Sequence, residues 1–95
     1  MELFPPLTRF YKAIEDDARI GTSHISLFMA LIQQWDKNGG TNPFPIVRDR
    51  IMKAAKINGR NTYNKCMKNL HDFGYITYSP SSNPFVCSTV YLKGL

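Results

Sequence analysis

The segment from residue 58 to residue 76 constrains the fold of this chain more than any other. Its apolar residues recur at spacings of four, three and three, the pattern of a helix with one buried face. They are Tyr63, Met67, Leu70 and Phe73. Asn58-Gly59 favours a helix start, and Gly74 supplies the left-handed residue that often follows a helix. The sequence therefore predicts a helix over residues 60–73 that leads directly into a strand.

The opposite face of this predicted helix is rich in cations and amides. Its members are Arg60, Asn61, Asn64, Lys65 and Lys68, and the first carboxylate in the helix is Asp72, at its far end. Lys and Arg bind phosphates, and Asn and Arg can form paired hydrogen bonds with base edges. The face predicts contact with nucleic acid, although basic helix faces also occur on ordinary solvated surfaces.

Charge is divided unevenly along the 95 residues, whose formal net charge is +5. Residues 1–46 contain four Lys or Arg and five Asp or Glu, a net charge of −1. Residues 47–95 contain eight Lys or Arg and two Asp or Glu, a net charge of +6. The basic half includes the helix described above, so the distribution favours a polyanionic partner on one side of the molecule.

Size and composition indicate one folded domain, with 43% hydrophobic and 13% aromatic residues. Cys66 and Cys87 have no metal-ligand spacing and are expected to be reduced thiols of a cytoplasmic protein, with a disulfide as the alternative. The N-terminus lacks the pattern of a secretion signal. The longest largely apolar run, from Ile25 to Ile32, is too short to span a bilayer.

Three more helices are predicted before this segment. After an extended lead-in over residues 1–6, Thr8 is expected to cap a first helix that frays near Asp17. Thr22 or Ser23 caps a second helix, which is the most apolar and is expected to form the core through Ile25, Phe28, Leu31, Ile32 and Trp35. The third helix begins at Val47 and turns Ile51, Ala54 and Ala55 inward.

Three strands complete the predicted elements. Residues 44–46 form a short edge strand, because Pro43 and Pro45 rule out a central position. Residues 75–78 and 86–92 show the alternation of a hairpin around a six-residue loop, residues 79–84.

The order of these elements resembles a winged helix-turn-helix domain, as found in bacterial transcriptional regulators and replication-initiator proteins. The match covers residues 44–92, about half of the chain. It is carried by Thr62-Tyr63, Met67, Leu70 and Phe73-Gly74-Tyr75-Ile76. In that family a small polar and an apolar residue open the recognition helix, and a Leu-Gly-Leu-Ile exit leads into the wing. Here the turn at Asn58-Gly59 is about one residue longer, and the preceding helix lacks a Ser or Thr cap.

The resemblance implies an α+β, mostly helical fold with three to four helices and a C-terminal β-hairpin wing. A single domain would span residues 1–95, with an N-terminal extension helix in residues 1–18 and the helix-turn-helix and wing in residues 44–92. It also implies that residues 60–73 enter the major groove of double-stranded DNA. The expected base contacts are Arg60, Asn61 and Asn64. The expected phosphate contacts are Arg48, Arg50, Lys53, Thr62, Lys65 and Lys68. The wing residues Ser81, Ser82 and Asn83 would add only neutral hydrogen bonds.

Two functions follow from these expectations. The first is a small sequence-specific regulator of transcription, or an accessory factor of a mobile element or replicon, that binds DNA as a homodimer through its N-terminal helix. The alternative is a protein-interaction module without DNA binding, which the uncharged wing favours. No cofactor, metal, small-molecule ligand or membrane is expected. Enzyme activity is not expected either, because His24 and His71 have no metal-spaced partner and Gly39-Gly40 does not precede a helix.

Overall fold

The computed structural model describes residues 4–83 and 85–93, with side chains from Leu7 onward. These residues form four helices and three strands, and about half of them are helical. The elements are α1 (Phe4–Ile14), α2 (Thr22–Lys37), β1 (Phe44–Ile46), α3 (Arg48–Ala55), α4 (Arg60–Asp72), β2 (Ile76–Ser79) and β3 (Ser88–Leu92). The predicted α+β class is confirmed.

Helix α2 is the centre of the core, as its apolar stripe predicts. Its buried residues are Leu27, Phe28, Ala30, Leu31, Ile32 and Trp35. Ile25 is only half-buried, whereas Leu27, which is not among the residues of the predicted stripe, is completely buried. Helices α3 and α4 pack on α2, and the Ser26 hydroxyl donates a hydrogen bond to the Ala55 carbonyl at the end of α3.

The starts of α1 and α2 differ from the prediction. Helix α1 begins at Phe4 and ends at Ile14, so Thr8 lies inside it and the expected lead-in is wrong for residues 4–6; residues 1–3 lie outside the described part. Prolines are compatible with a first helical turn, because the N–H groups there have no partner in the helix. Gly21, rather than Thr22 or Ser23, is the N-cap residue of α2.

Helix α3 buries Ile51, Met52 and Ala55, so the inward position predicted for Ala54 is wrong. Ala54 is exposed because it lies on the flank of α3 that lines an open groove beside α2. Lys56 ends the helix in the left-handed conformation, with φ of 60°, and the chain turns so that Ile57 is buried.

The three strands form one antiparallel sheet in the order β1-β3-β2. Phe44 is opposite Val90, and Ile76 is opposite Leu92. The edge position of β1 is confirmed, and both Phe44 and Ile46 are buried. The predicted hairpin therefore has a third strand, which pairs with β3. The side chain of Asn42 extends this pairing, because its amide accepts a hydrogen bond from the Leu92 N–H and donates one to the Leu92 carbonyl.

The hairpin boundaries are shifted toward the C-terminus. Strand β2 begins at Ile76, and β3 begins at Ser88 rather than at Val86. The connecting segment, residues 80–87, is longer than predicted and is called the β2–β3 loop below. Val86 is 57% exposed because it belongs to this loop and not to the strand predicted over residues 86–92. Pro84, within the loop, lies outside the described residues.

Among the described residues, each helix is too short or too polar to cross a lipid bilayer.

Candidate nucleic-acid interface

Helix α4 is seated on the rest of the domain by one apolar face. Tyr63, Cys66, Met67 and Leu70 are buried, which confirms most of the predicted stripe and adds Cys66. Phe73 is half-buried and caps the helix end. Gly74 has φ of 89°, as its position predicts, and the following N–H of Tyr75 donates to the Leu70 carbonyl at 2.9 Å. The helix therefore ends at a defined point on a rigid core.

The loop that follows α1 fixes the exit of α4. Arg19 donates two hydrogen bonds to the Asp17 carboxylate, at 2.8 and 2.9 Å, and the Tyr75 hydroxyl donates another at 2.6 Å. These hydrogen bonds, from Arg19 first, hold the pKa of Asp17 well below its usual range. The Arg19 guanidinium lies 4.0 Å from the centre of the Phe73 ring. This cluster ties the α1–α2 connection to the turn after α4.

All the α4 residues expected to contact DNA are exposed. They are Arg60, Asn61, Thr62, Asn64, Lys65 and Lys68. At 100° per residue, Asn61, Lys65 and Lys68 lie at the centre of the exposed face, directly opposite the buried side chains. Arg60 and Asn64 lie at one border of this face, and Thr62 lies at the other. We call these six residues the α4 face.

His24 connects the first turn of α2 to α4. Its Nδ1 accepts a hydrogen bond from the Gly21 N–H at 3.0 Å, and its Nε2 lies 3.0 Å from the side-chain amide of Asn69 in α4. Because the Gly21 N–H can only donate, the single proton of the neutral ring sits on Nε2, and the Asn69 amide must then turn its oxygen toward the ring to accept it. Burial lowers the pKa of His24, and the nearby charge of Lys65 lowers it further. The neutral ring is therefore the favoured form in the folded chain, and only this form can accept from the Gly21 N–H at the start of α2.

The His24 connection predicts a pH-dependent stability. The pKa of His24 lies below its ordinary value of 6.5 in the folded chain, so the unfolded chain takes up the proton first as pH falls. The contribution of His24 to the free energy of unfolding is then fully present above about pH 6.5 and is lost as the pH falls below that value. The measurement is urea unfolding between neutral pH and about pH 5. His24→Gln is the matched control, because Gln at this position can still accept from the Gly21 N–H but does not titrate. An equal decline in both proteins would contradict the assignment.

The cations of α3 do not all share a surface with α4. Burial raises the pKa of Tyr63, in α4, to about 12, and the positive charge of Arg48 acts in the opposite direction. Arg48 therefore lies on the side of α3 that is near α4. Arg48 also forms an exposed ion pair with Asp49 at 3.4 Å. Arg50 and Lys53 instead line the groove between α2 and α3, together with cations that were not assigned a role: Lys37 and Lys56.

In the β2–β3 loop, the polar side chains bond mainly to the loop itself. The Ser81 hydroxyl accepts from the Asn83 N–H at 3.2 Å, and the Asn83 side chain accepts from the Phe85 N–H at 2.9 Å. Ser82 is exposed. The residues that project most are apolar: Phe85 is 94% exposed and Val86 is 57% exposed. Val86 was expected in the strand rather than in the loop, and two apolar residues directly after a Ser- and Pro-rich turn were the sequence signal for an exposed apolar tip.

Strand β2 lies against α4, so the β2–β3 loop begins beside the α4 face. The N–H of Tyr78 in β2 donates to Nδ1 of His71 in α4 at 3.0 Å. In the helical projection, His71 lies at the border that Arg60 and Asn64 also occupy. The loop therefore emerges on that side of the α4 face.

The two cysteines are free and separate in the structure. Cys66 is buried in α4, where burial raises the pKa of its thiol, and Cys87 is exposed in the β2–β3 loop. Across residues 4–83 and 85–93, no cluster of three or more His, Cys, Asp or Glu side chains is placed to hold a metal ion.

Two features of the described structure favour a binding function. They are the charged α4 face and the exposed apolar tip of the β2–β3 loop beside it.

The comparisons with known proteins identify no relative of this chain. No protein-family model, no curated protein and no solved structure matches this chain.

Proposed function

We propose that this protein is a winged helix-turn-helix domain that binds double-stranded DNA through α4. The observation that carries the proposal is the α4 face. It presents Arg60, Lys65 and Lys68 together with two asparagines, and α4 has no carboxylate before Asp72. The opposite face is locked into the core by four buried side chains. A helix held by one face and cationic on the other has the surface that recognition helices present to a major groove.

The arrangement of elements supports the same proposal. Helices α3 and α4 are consecutive and joined by a short turn, and α4 is followed by two antiparallel strands with a projecting loop. Strand β1 pairs with the second of these strands and completes a small sheet beside α4. Such an order is compatible with a winged helix, in which the β2–β3 loop is the wing.

The proposed mechanism has two parts. Lys65 and Lys68 attract and position the phosphate backbone, which gives affinity without sequence information. Arg60, Asn61 and Asn64 lie in the first half of α4, where recognition helices reach base edges, so they would supply the sequence preference. The protein would then act by occupying its site, as a small transcriptional regulator or an accessory factor of a mobile element or replicon.

The direct test is a fluorescence-anisotropy titration of a mixed-sequence duplex at several salt concentrations. We expect micromolar binding at low salt, because the α4 face supplies several cations. If about five phosphates are neutralised, the affinity should fall by roughly two to three decades between 50 and 200 mM salt. The proposal would be contradicted if the protein did not bind at low salt while its circular-dichroism spectrum showed that it was folded.

The exposed tip of the β2–β3 loop favours a second function, a protein-interaction module. Phe85 is 94% exposed, and apolar side chains of this size are often buried by a partner. A triple substitution separates the two functions. Replacing Arg60, Lys65 and Lys68 with alanine should abolish DNA binding in the first case and leave partner capture unchanged in the second.

A further inference from the structure

A long groove runs along the outer surface of α2. The residues that line it extend from Thr22 to Lys37 on this helix, so it is about 22 Å long. One part, of about 560 Å³, is lined mainly by apolar side chains, and a second part, of about 590 Å³, is lined by cations. Ala30, Gln33 and Ala54 line both parts, so the two parts are continuous. We call them together the α2 groove.

The α2 groove has an apolar wall and a cationic wall. Helix α1 forms the first, where Leu7 lines the groove and the Tyr11 hydroxyl lies 3.9 Å from the sulfur of Met29. Tyr11 is 45% exposed and Met29 is 46% exposed, so both leave carbon surface open to solvent. Helix α3 and the residue that ends it form the second wall. Its cations are Arg50, Lys53 and Lys56, and Lys37 of α2 adds a fourth.

The four cations of the α2 groove have no counter-charge within the described structure. All four side chains are exposed, and the ion pairs between described residues belong to Arg19 and Arg48 instead. No carboxylate is among the described residues that line the groove. A cleft lined by charges of one sign attracts ligands of the opposite sign. The groove is therefore suited to a ligand that carries several negative charges.

The apolar part of the groove decides between the kinds of anionic ligand. A nucleic-acid backbone would meet the cations, but it has no aliphatic side chains to cover Ile25 and Met29. A small anionic molecule would stay largely in water, because the groove is open to solvent. An amphipathic helix has apolar residues on one flank and charged residues on the other, which corresponds to the two walls. A helix of about 15 residues also has the length of the groove.

We propose that the α2 groove binds an acidic amphipathic helix of another protein. The apolar residues of that helix would cover Tyr11 and Met29, which are half exposed in the free chain. Its Glu or Asp side chains would face the cations of the α3 wall. Binding would also neutralise positive charges that repel one another in the free protein.

This site goes beyond the proposed function and can be tested without DNA. His24, which contacts α4, and Gln33, which lines both parts of the α2 groove, lie about 180° apart around α2. The α4 face therefore stays uncovered when the groove is occupied. Failure of DNA binding would leave this inference intact, and failure of helix binding would leave the proposed function intact.

The test is a fluorescence-anisotropy titration of a labelled 15-residue peptide with the full chain. The peptide has leucines at helical spacing and glutamates along one flank. We expect saturable, micromolar binding at low salt. A second peptide has glutamine in place of each glutamate, and a third has the same composition with the leucines scattered around the helix. Each should bind about tenfold more weakly, because one loses the ion pairs and the other loses the apolar flank.

Variants of the protein locate the bound peptide. Lys37→Glu with Lys56→Glu should raise the Kd of the glutamate peptide by about tenfold and change that of the glutamine peptide much less. Lys12→Glu with Lys93→Glu makes the same charge change outside the groove and should leave the Kd within about twofold. Met29→Gln should weaken both peptides about fivefold, because it removes apolar contact area. Circular dichroism checks that each variant is folded, which is expected because every substituted side chain is exposed.

Three results would overturn the proposal. The first is a folded wild-type chain that does not bind the glutamate peptide at low salt. The second is equal weakening by the two double charge reversals, which would mean that net charge rather than the α2 groove attracts the peptide. The third is a 15-nucleotide single strand that binds more tightly than the peptide and loses more affinity with Lys37→Glu and Lys56→Glu than with the control reversals. That result would assign the groove to nucleic acid.

Discussion

Alanine at both Lys65 and Lys68 is expected to weaken duplex binding about 50-fold near 0.1 M salt. Each lysine lies at the centre of the exposed face of α4 and is assigned one phosphate. Losing two phosphate contacts reduces the slope of log K against log salt by about two. At 0.1 M salt, a change of that size in the slope corresponds to the loss of affinity of about 50-fold. Anisotropy titrations at several salt concentrations measure both quantities.

The matched control for this variant is Lys12→Ala with Lys93→Ala. Both proteins lose two positive charges, and all four lysines are exposed, so neither variant should lose folding stability. Only the α4 variant removes cations from the proposed interface. If both variants weakened binding equally, net charge rather than the α4 face would be responsible. If neither weakened it, DNA would bind elsewhere or not at all.

The largest effect on stability is expected at Phe44. This side chain is completely buried, and its strand joins β3 opposite Val90. Phe44→Ala should lower the free energy of unfolding by about 4 kcal/mol, because it removes a large apolar group and leaves a cavity. Small domains are stable by only about 5 to 15 kcal/mol, so the variant should be close to unfolding at room temperature. Urea unfolding followed by circular dichroism gives the value.

Phe85→Ala is the control, since it makes the same substitution at a side chain that is 94% exposed. It should change stability by less than about 0.5 kcal/mol. Phe44→Leu should cost about 1 kcal/mol and remain measurable if the alanine variant does not fold. Equal losses for Phe44→Ala and Phe85→Ala would show that β1 does not contribute to the core as the structure indicates.

Helix α4 could be predicted from the sequence because its signals are local. The apolar spacing, the turn before it and Gly74 after it all lie within about twenty residues, and each reports the same helix. The start of α1 could not be predicted in this way. Pro5 and Pro6 are compatible both with an extended segment and with a first helical turn, so the local sequence leaves both open.

The pairing of β1 with β3 has no local signal either. It joins Phe44 to Val90 across the whole of α3, α4 and β2. The Asn42 side chain, which forms hydrogen bonds with Leu92, has the sequence context of an ordinary loop residue. Such contacts depend on how α3 and α4 fold back, and apolar periodicity does not contain that information.

The positions of the residues expected to contact DNA were predictable to different degrees for the same reason. The exposure of the α4 face follows from its helical period, so all six residues were placed correctly on the surface. The flanks of α3 depend on how that helix is rotated against α2 and α4, so the sequence does not predict that Arg50 and Lys53 line the groove between α2 and α3. The internal bonds of Ser81 and Asn83 depend on the path of the β2–β3 loop, which turn-forming residues alone do not determine.

The hydrogen bond from the Tyr78 N–H to His71 has a consequence for the protein at high concentration. Exposed strand edges invite other chains to add strands, which leads to aggregates and fibrils. On one edge of this sheet, His71 already occupies the Tyr78 N–H of β2. On the other, β1 is three residues long and has at its centre Pro45, which has no N–H to donate. Neither edge offers a regular row of donors and acceptors, so molecules crowded together should resist sheet-to-sheet aggregation.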